Sequence, residues 1–132
     1  MKDAFYVIKM SKDSYHLLGF RWKGLYYFYK TLPMGLSISC QIFERLSCAV
    51  QWILLNKLNV AHMSHILDDF MFFGKAGTRD CEIGLQSFLH LSESLGLPIK
   101  HEKTVLPTTK AVLHGVLFDT EKMITGFPQI LW

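Results

Sequence analysis

Apolar residues recur every three or four positions through "SISCQIFERLSCAVQWILLNKLN", where Ile42, Phe43, Leu46, Val50, Ile53 and Leu54 fall on one side of a helical projection. Glu44, Arg45 and Gln51 fall on the other, so the stretch predicts a long amphipathic helix. Pro33 and Gly35 break regular structure just before it, and Ser37 or Ser39 can cap its start. A second helix is expected over "RDCEIGLQSFLHLSESL", with Thr78 as its cap, Asp80 and Glu82 at the positive end of its dipole, and Gly96 as its stop. Runs rich in aromatic and β-branched residues predict strands in "AFYVIKM", in "HLLGFRW" and "LYYFYKTL" around a "KG" turn, and in "AVLHGVLFD". "VAHMSHIL" and "FMFF" predict two more strands, meeting at a turn made by Asp68 and Asp69. The order is strands, helix, hairpin, helix, strands, which implies an α+β fold with two helices packed on one face of an antiparallel sheet.

Composition narrows this only a little. A chain of 132 residues, half of them hydrophobic and 19% charged, is long enough for one core and reads as a single compact domain. The formal charge of +3 permits contact with phosphates without demanding it. Cys40 and Cys48, if on one helix, stand about 12 Å apart along its axis, too far for a disulfide. With Cys81 they read as reduced core thiols of an intracellular protein, in cytoplasm or nucleus. The start lacks the long apolar segment of a secretory signal, and no stretch has the apolar length of a membrane span, so export and membrane insertion are not expected.

The chemistry is concentrated in "SHILDDFMFFG", which sets Asp68 beside Asp69 within an almost wholly apolar run. Two adjacent carboxylates in such a setting stay ionised only if cations neutralise them; otherwise one holds a proton. Hard divalent ions such as Mg²⁺ or Mn²⁺ prefer oxygen ligands and exchange their waters for substrate phosphates, so the pair suggests metal-dependent phosphate chemistry. A solvated Asp-Asp turn is the plainer alternative, although such a turn has little need of "HIL" and "FMFF" directly against it. His62 and His65, three apart on a strand, point to opposite faces, which argues against a shared zinc ion. Tyr26, Tyr27, Phe28 and Tyr29 offer faces for base stacking, but alternating aromatics in a strand are more often half-buried packing.

"LPMGLSISCQIF", "HILDDF", "LGLPIKHEK" and "LHGVLFD" occur in the order and approximate spacing of the palm motifs of reverse transcriptases, and the chain resembles that family over nearly its whole length. "HLLGFRWKGLYYFYKTLPMGLS" and "FERLSCAVQWIL" resemble the DIRS-like retrotransposon group in particular. The resemblance implies a palm-like domain, truncated at both ends, from an RNA-directed DNA polymerase that uses two Mg²⁺ or Mn²⁺ ions. Its partners would be an RNA or DNA template with primer and deoxynucleoside triphosphates. Asp68 and Asp69 match the family's metal-binding acidic pair, the first being the more direct ligand, and Lys103 matches the lysine proposed to protonate departing pyrophosphate. Phe5 matches an aromatic gate against the ribose 2′-hydroxyl; with Met34 and Gly35 it falls at positions bordering the nucleotide. Gly35 and Ser39 match the loop and helix start beneath the templating base, and Leu113 to Leu117, with Gly115, match the primer grip.

Some positions depart from the family pattern. "MKDAF" matches the family's first metal motif except for its leading Asp, which would fall immediately before Met1, and Asp3 is offset from that position along the expected strand. Cys40 stands where Pro is usual, and His114 where an apolar residue is usual. Fingers, thumb and ribonuclease H segments are likewise expected to be missing, so the isolated chain is expected not to polymerise. A noncatalytic nucleic-acid-binding module and a structural remnant of a retroelement are the alternatives.

Overall fold

The computed structural model describes residues 1 and 3–128, and the chain divides into two compact units, Met1–Lys100 and the residues from His101 onward. The fold is α+β, as the hydrophobic pattern predicts. Among the described residues the strands form three small antiparallel sheets, of two, two and three strands.

In the first unit, helix α1 (Ser39–Asn56) buries Ser39, Phe43, Ser47, Val50 and Leu54, a stripe at intervals of three and four residues. The expected serine cap does not form. Ile38 is the N-cap, and the Ser39 hydroxyl instead donates to the Pro33 carbonyl at 2.6 Å, tying the helix start to the loop before it. Strands β3 (His62–Ile66) and β4 (Asp69–Phe73) pair as a hairpin in which His62 faces Phe73 and Ile66 faces Asp69. Helix α1 packs on β3, and α2 (Asp80–Ser94) packs on β4 and β3. Val50, Leu54, Val60 and Phe88 form the core between these layers, with Met63, Phe70 and Phe72 against it.

The α2 boundaries follow their local chemistry. Asp80 and Glu82 occupy the first turn, near the positive end of the dipole, and Gly96 (φ 68°) closes the other end. There the Leu97 N–H reaches the Ser92 carbonyl at 2.8 Å. Thr78 does not cap this helix; its hydroxyl lies 2.7 Å from the Lys75 carbonyl and 2.8 Å from Asp80 Oδ2. Gly84 sets how closely α2 meets β4, because a Cβ there would come within 2.8 Å of the Phe72 ring. Gly84→Ala therefore sets a gain of about 1 kcal/mol in helix propensity against an overpacking cost of about 1–3 kcal/mol. The net expectation is a lower urea midpoint with an unchanged denaturant slope.

Two other segments depart from the sequence pattern. "AFYVIKM" is not a strand: Ala4–Val7 is a 3-10 turn following Asp3, which holds a left-handed conformation at φ 50°. The turn carries the Phe5 ring onto Phe43, edge-on with centroids 5.4 Å apart, and this contact overrides the strand propensity of the residues. In the hairpin of β1 (Gly19–Trp22) and β2 (Leu25–Phe28), every residue is exposed, so Tyr26, Tyr27 and Phe28 are not half-buried. Their rings pack locally instead, Phe20 on Tyr27 and Phe28 on Tyr15.

The second unit is a meander of β5 (Lys110–Leu113), β6 (Val116–Asp119) and β7 (Ile124–Gly126). His114 and Gly115 form its first turn, both with positive φ, the geometry that matches strand twist in a two-residue hairpin. Phe127 is exposed, and Ile130 and Trp132 lie outside the described residues. Asp119 closes β6. Its carboxylate accepts the Lys122 N–H at 2.9 Å and the Glu121 N–H at 3.1 Å, and meets Lys110 Nζ at 3.3 Å. The Lys122 N–H above all, with Lys110 and the Glu121 N–H, holds this carboxyl below the usual aspartate range against the opposing effect of burial. A carboxyl lowered on folding stabilises fully above the unfolded value of about 4, and that contribution is lost as pH falls through the lower folded value. Protection of the β5 and β6 amides, corrected for the pH dependence of intrinsic exchange, should thus fall on acidification, and Asp119→Asn should flatten that dependence.

Candidate active site

The hairpin tip carries the acidic pair, but in a different register from the one expected. Ile66 pairs with Asp69, so Leu67 and Asp68 make the turn and Asp69 opens β4. Leu67 takes the left-handed conformation at φ 51°, which costs a branched residue about 1–2 kcal/mol. Two bonds from α1 offset that cost. The Leu67 N–H donates to Glu44 Oε2 at 3.2 Å, and the Ser47 hydroxyl donates to the Leu67 carbonyl at 2.7 Å.

Neither Glu44 nor Ser47 is singled out by the sequence pattern. Glu44 falls on the presumed solvent side of α1 yet is only partly exposed, because the tip leans on it. Ser47 had a signal: it is a polar residue on the buried stripe, between Phe43 and Val50. Ser47→Ala leaves the Leu67 carbonyl without this donor and should cost about 1–3 kcal/mol. Urea unfolding should show the loss, and amide exchange should place it at the Leu67–Asp69 tip rather than along all of α1.

Beside the tip lies a cleft of ≈ 280 Å³ lined by Asp3, Phe5, Met34 and Asp68 among others. Asp3 corrects the sequence reading, which placed it elsewhere on a strand; the 3-10 turn and its own left-handed backbone bring it to the same cleft as Asp68. Phe5 is braced by Phe43, and Met34 is 69% exposed. Gly35 has φ 87° with no atom within 4 Å of where a Cβ would stand, so the loop there is open to close approach by another molecule. Ser39 is buried beneath that loop and holds it through Pro33.

Asp68 exposes 41% of its side chain, and Oδ2 lies 3.6 Å from the Met1 ammonium, which also donates to the Asp68 carbonyl at 3.0 Å. Asp69 is exposed at the start of β4. Asp3 and Asp68 line the cleft and Asp69 is not among its lining residues, so the structure brings two of the three acidic side chains to it. The other sequence-predicted residues lie in the second unit. Lys103 ends a short 3-10 turn (His101–Lys103) and is exposed, Leu113 ends β5 half-buried, and Gly115 sits in the β5–β6 turn at φ 77°.

Among curated proteins, none matches the chain. The sequence model of the reverse transcriptase (RNA-dependent DNA polymerase) family, however, matches residues 1–118, a span that includes the cleft, α1, the acidic hairpin and α2. An acidic hairpin tip pinned by the long helix lies within a match that covers most of the sequence, and the chain belongs to the reverse transcriptase family.

Proposed function

We propose that this chain forms the palm region of a retrotransposon RNA-directed DNA polymerase, of the DIRS-like type, which adds deoxynucleotides to a primer on an RNA or DNA template. Membership of the family implies a nucleic-acid template, nucleotide substrates and divalent metal ions in general. Among the described residues, no helix is long and apolar enough to cross a membrane. The observation that carries the reading is the Asp68 carboxylate at a braced hairpin tip, on one cleft with Phe5 and Met34.

Asp68 and Asp69, with Asp3 at the cleft, would hold Mg²⁺ or Mn²⁺, which supplies charge neutralisation for in-line phosphoryl transfer. The chain's own residues do the rest. Phe5, fixed against Phe43, presents a rigid wall that excludes a 2′-hydroxyl, while Met34 gives the nucleotide an apolar contact. Gly35 lets the template approach the backbone above Ser39.

Mn²⁺-induced NMR relaxation tests the site directly. The expected result is selective broadening at Asp68–Phe70, reversed by Mg²⁺ and abolished in Asp68→Asn/Asp69→Asn, together with template–primer binding strengthened by divalent ions. Absence of broadening at the tip would refute the metal assignment, and template–primer binding indifferent to metal and to these substitutions would assign the chain to a noncatalytic binding module.

A further inference from the structure

Glu44 and Cys48 are one turn apart on α1, and Gln51 follows on the same stripe. The alternation of β3 turns His65 toward α1, where its side chain is only 5% exposed. The imidazole meets all three residues. Its Nε2 lies 3.1 Å from Glu44 Oε1 and 3.9 Å from Cys48 Sγ, and the thiol lies 4.0 Å from the same Glu44 oxygen. On the opposite edge of the ring, Nδ1 is hydrogen-bonded to Gln51 Oε1.

In the neutral tautomer that donates from Nδ1 to this amide oxygen, the Nε2 lone pair faces Glu44 Oε1 and Cys48 Sγ. The His65 side chain is nearly buried while that of Glu44 is 42% exposed, and positive charge between the lone pair and the carboxylate oxygen would join them. A proton on Nε2 would supply it and would leave Cys48 without a part. A metal ion would use all three atoms.

We propose that Glu44, Cys48 and His65 form a site for a zinc-type divalent ion, built from residues other than the acidic pair. The donor set is one oxygen, one sulfur and one nitrogen, the borderline-soft mixture that zinc accepts and Mg²⁺ does not. Among the described residues, the three ligand atoms lie within 4.8 Å of one another. Tetrahedral bonds of zinc length would separate nitrogen from oxygen by about 3.3 Å and sulfur from either by about 3.5 Å, so closure needs only small side-chain rotations. Both supports of a metal site are present: Gln51 orients His65, and the Leu67 N–H engages the second oxygen of Glu44. Cys48 is exposed, which gives the ion an entry path and leaves its fourth position to water. On binding, the Cys48 thiol proton passes to solvent while His65 coordinates as the neutral ring. The bound ion would then hold the Glu44 carboxylate that braces Leu67, one residue before Asp68.

Cobalt(II) titration of the purified 132-residue chain tests this, with zinc as competitor. The expected result is one equivalent of cobalt giving a thiolate-to-metal charge-transfer band, displaced by zinc but not by Mg²⁺. Cys48→Ser, which changes an exposed side chain, should abolish the band with the circular dichroism spectrum unchanged, whereas Cys40→Ser should retain it. Gln51→Leu should weaken binding about 10–100-fold. No band from the folded wild-type chain, a band that survives Cys48→Ser, or an Nε2-bound proton on His65 that persists with excess zinc would each overturn the proposal.

Discussion

In a complete polymerase of which this chain would form the palm region, replacing Asp68 with asparagine is expected to lower nucleotide incorporation by ~10³-fold while leaving the fold intact. The substitution keeps size and shape and removes one charge. At Asp68 the backbone, rather than the carboxylate, belongs to the turn, and the neighbouring Leu67 is held by Glu44 and Ser47. The side chain is 41% exposed, and the Met1 nitrogen keeps its hydrogen bond to the Asp68 carbonyl when the carboxylate is neutralised. Stability should therefore change by no more than about 0.5 kcal/mol. Divalent charge stabilisation of phosphoryl transfer is worth several kcal/mol, and a 10³-fold loss corresponds to about 4 kcal/mol. The two effects separate cleanly in measurement. Single-turnover incorporation and Mn²⁺ affinity should both fall in Asp68→Asn, more so in the double variant with Asp69→Asn, at an unchanged urea midpoint. Equal incorporation by wild type and Asp68→Asn would remove the carboxylate from the chemistry.

Phe43→Ala should have the largest effect on stability, about 3–5 kcal/mol. Its side chain is fully buried on the inner stripe of α1, and its ring is the one against which Phe5 stands edge-on. Truncation opens a cavity and removes the aromatic contact together. Against a total stability of about 5–15 kcal/mol for an ordinary domain, that is a large fraction. Phe43→Leu, which refills much of the volume but not the ring edge, should recover most of the stability without restoring the Phe5 contact. Urea unfolding checks the first part, and ring-proton chemical shifts of Phe5 check the second. A loss below about 1 kcal/mol for Phe43→Ala would mean that the site collapses onto other side chains.

Long-period features were readable in the sequence. The stripe of α1 and the Asp80 to Gly96 punctuation of α2 are local rules of helix chemistry, and both helices formed where those rules placed them. What failed depended on partners distant in sequence. Ala4–Val7 has strand-forming residues but is a 3-10 turn because Phe5 finds Phe43. The thiols of Cys40 and Cys48 are exposed rather than buried, since the inner stripe of α1 runs through Phe43, Ser47 and Val50 instead.

The adjacency of Asp68 and Asp69 was visible at once, but their unequal placement was not. The register of β3 on β4 shifts the turn back by one residue, onto Leu67. A leucine with positive φ is not a choice that turn statistics favour. Only the pair of bonds from Glu44 and Ser47 accounts for it, and those span 23 and 20 residues of sequence.

Every named strand pairs with its neighbour along the chain: β1 with β2, β3 with β4, β5 with β6 and β6 with β7. Such pairings close over small loops and ask little of chain entropy during the conformational search. Ribbons of this kind form on the scale of microseconds, well before the slower docking of α1 and α2 upon them. The acidic tip would therefore take its hairpin shape early and acquire its leucine kink late, when α1 arrives to hold it.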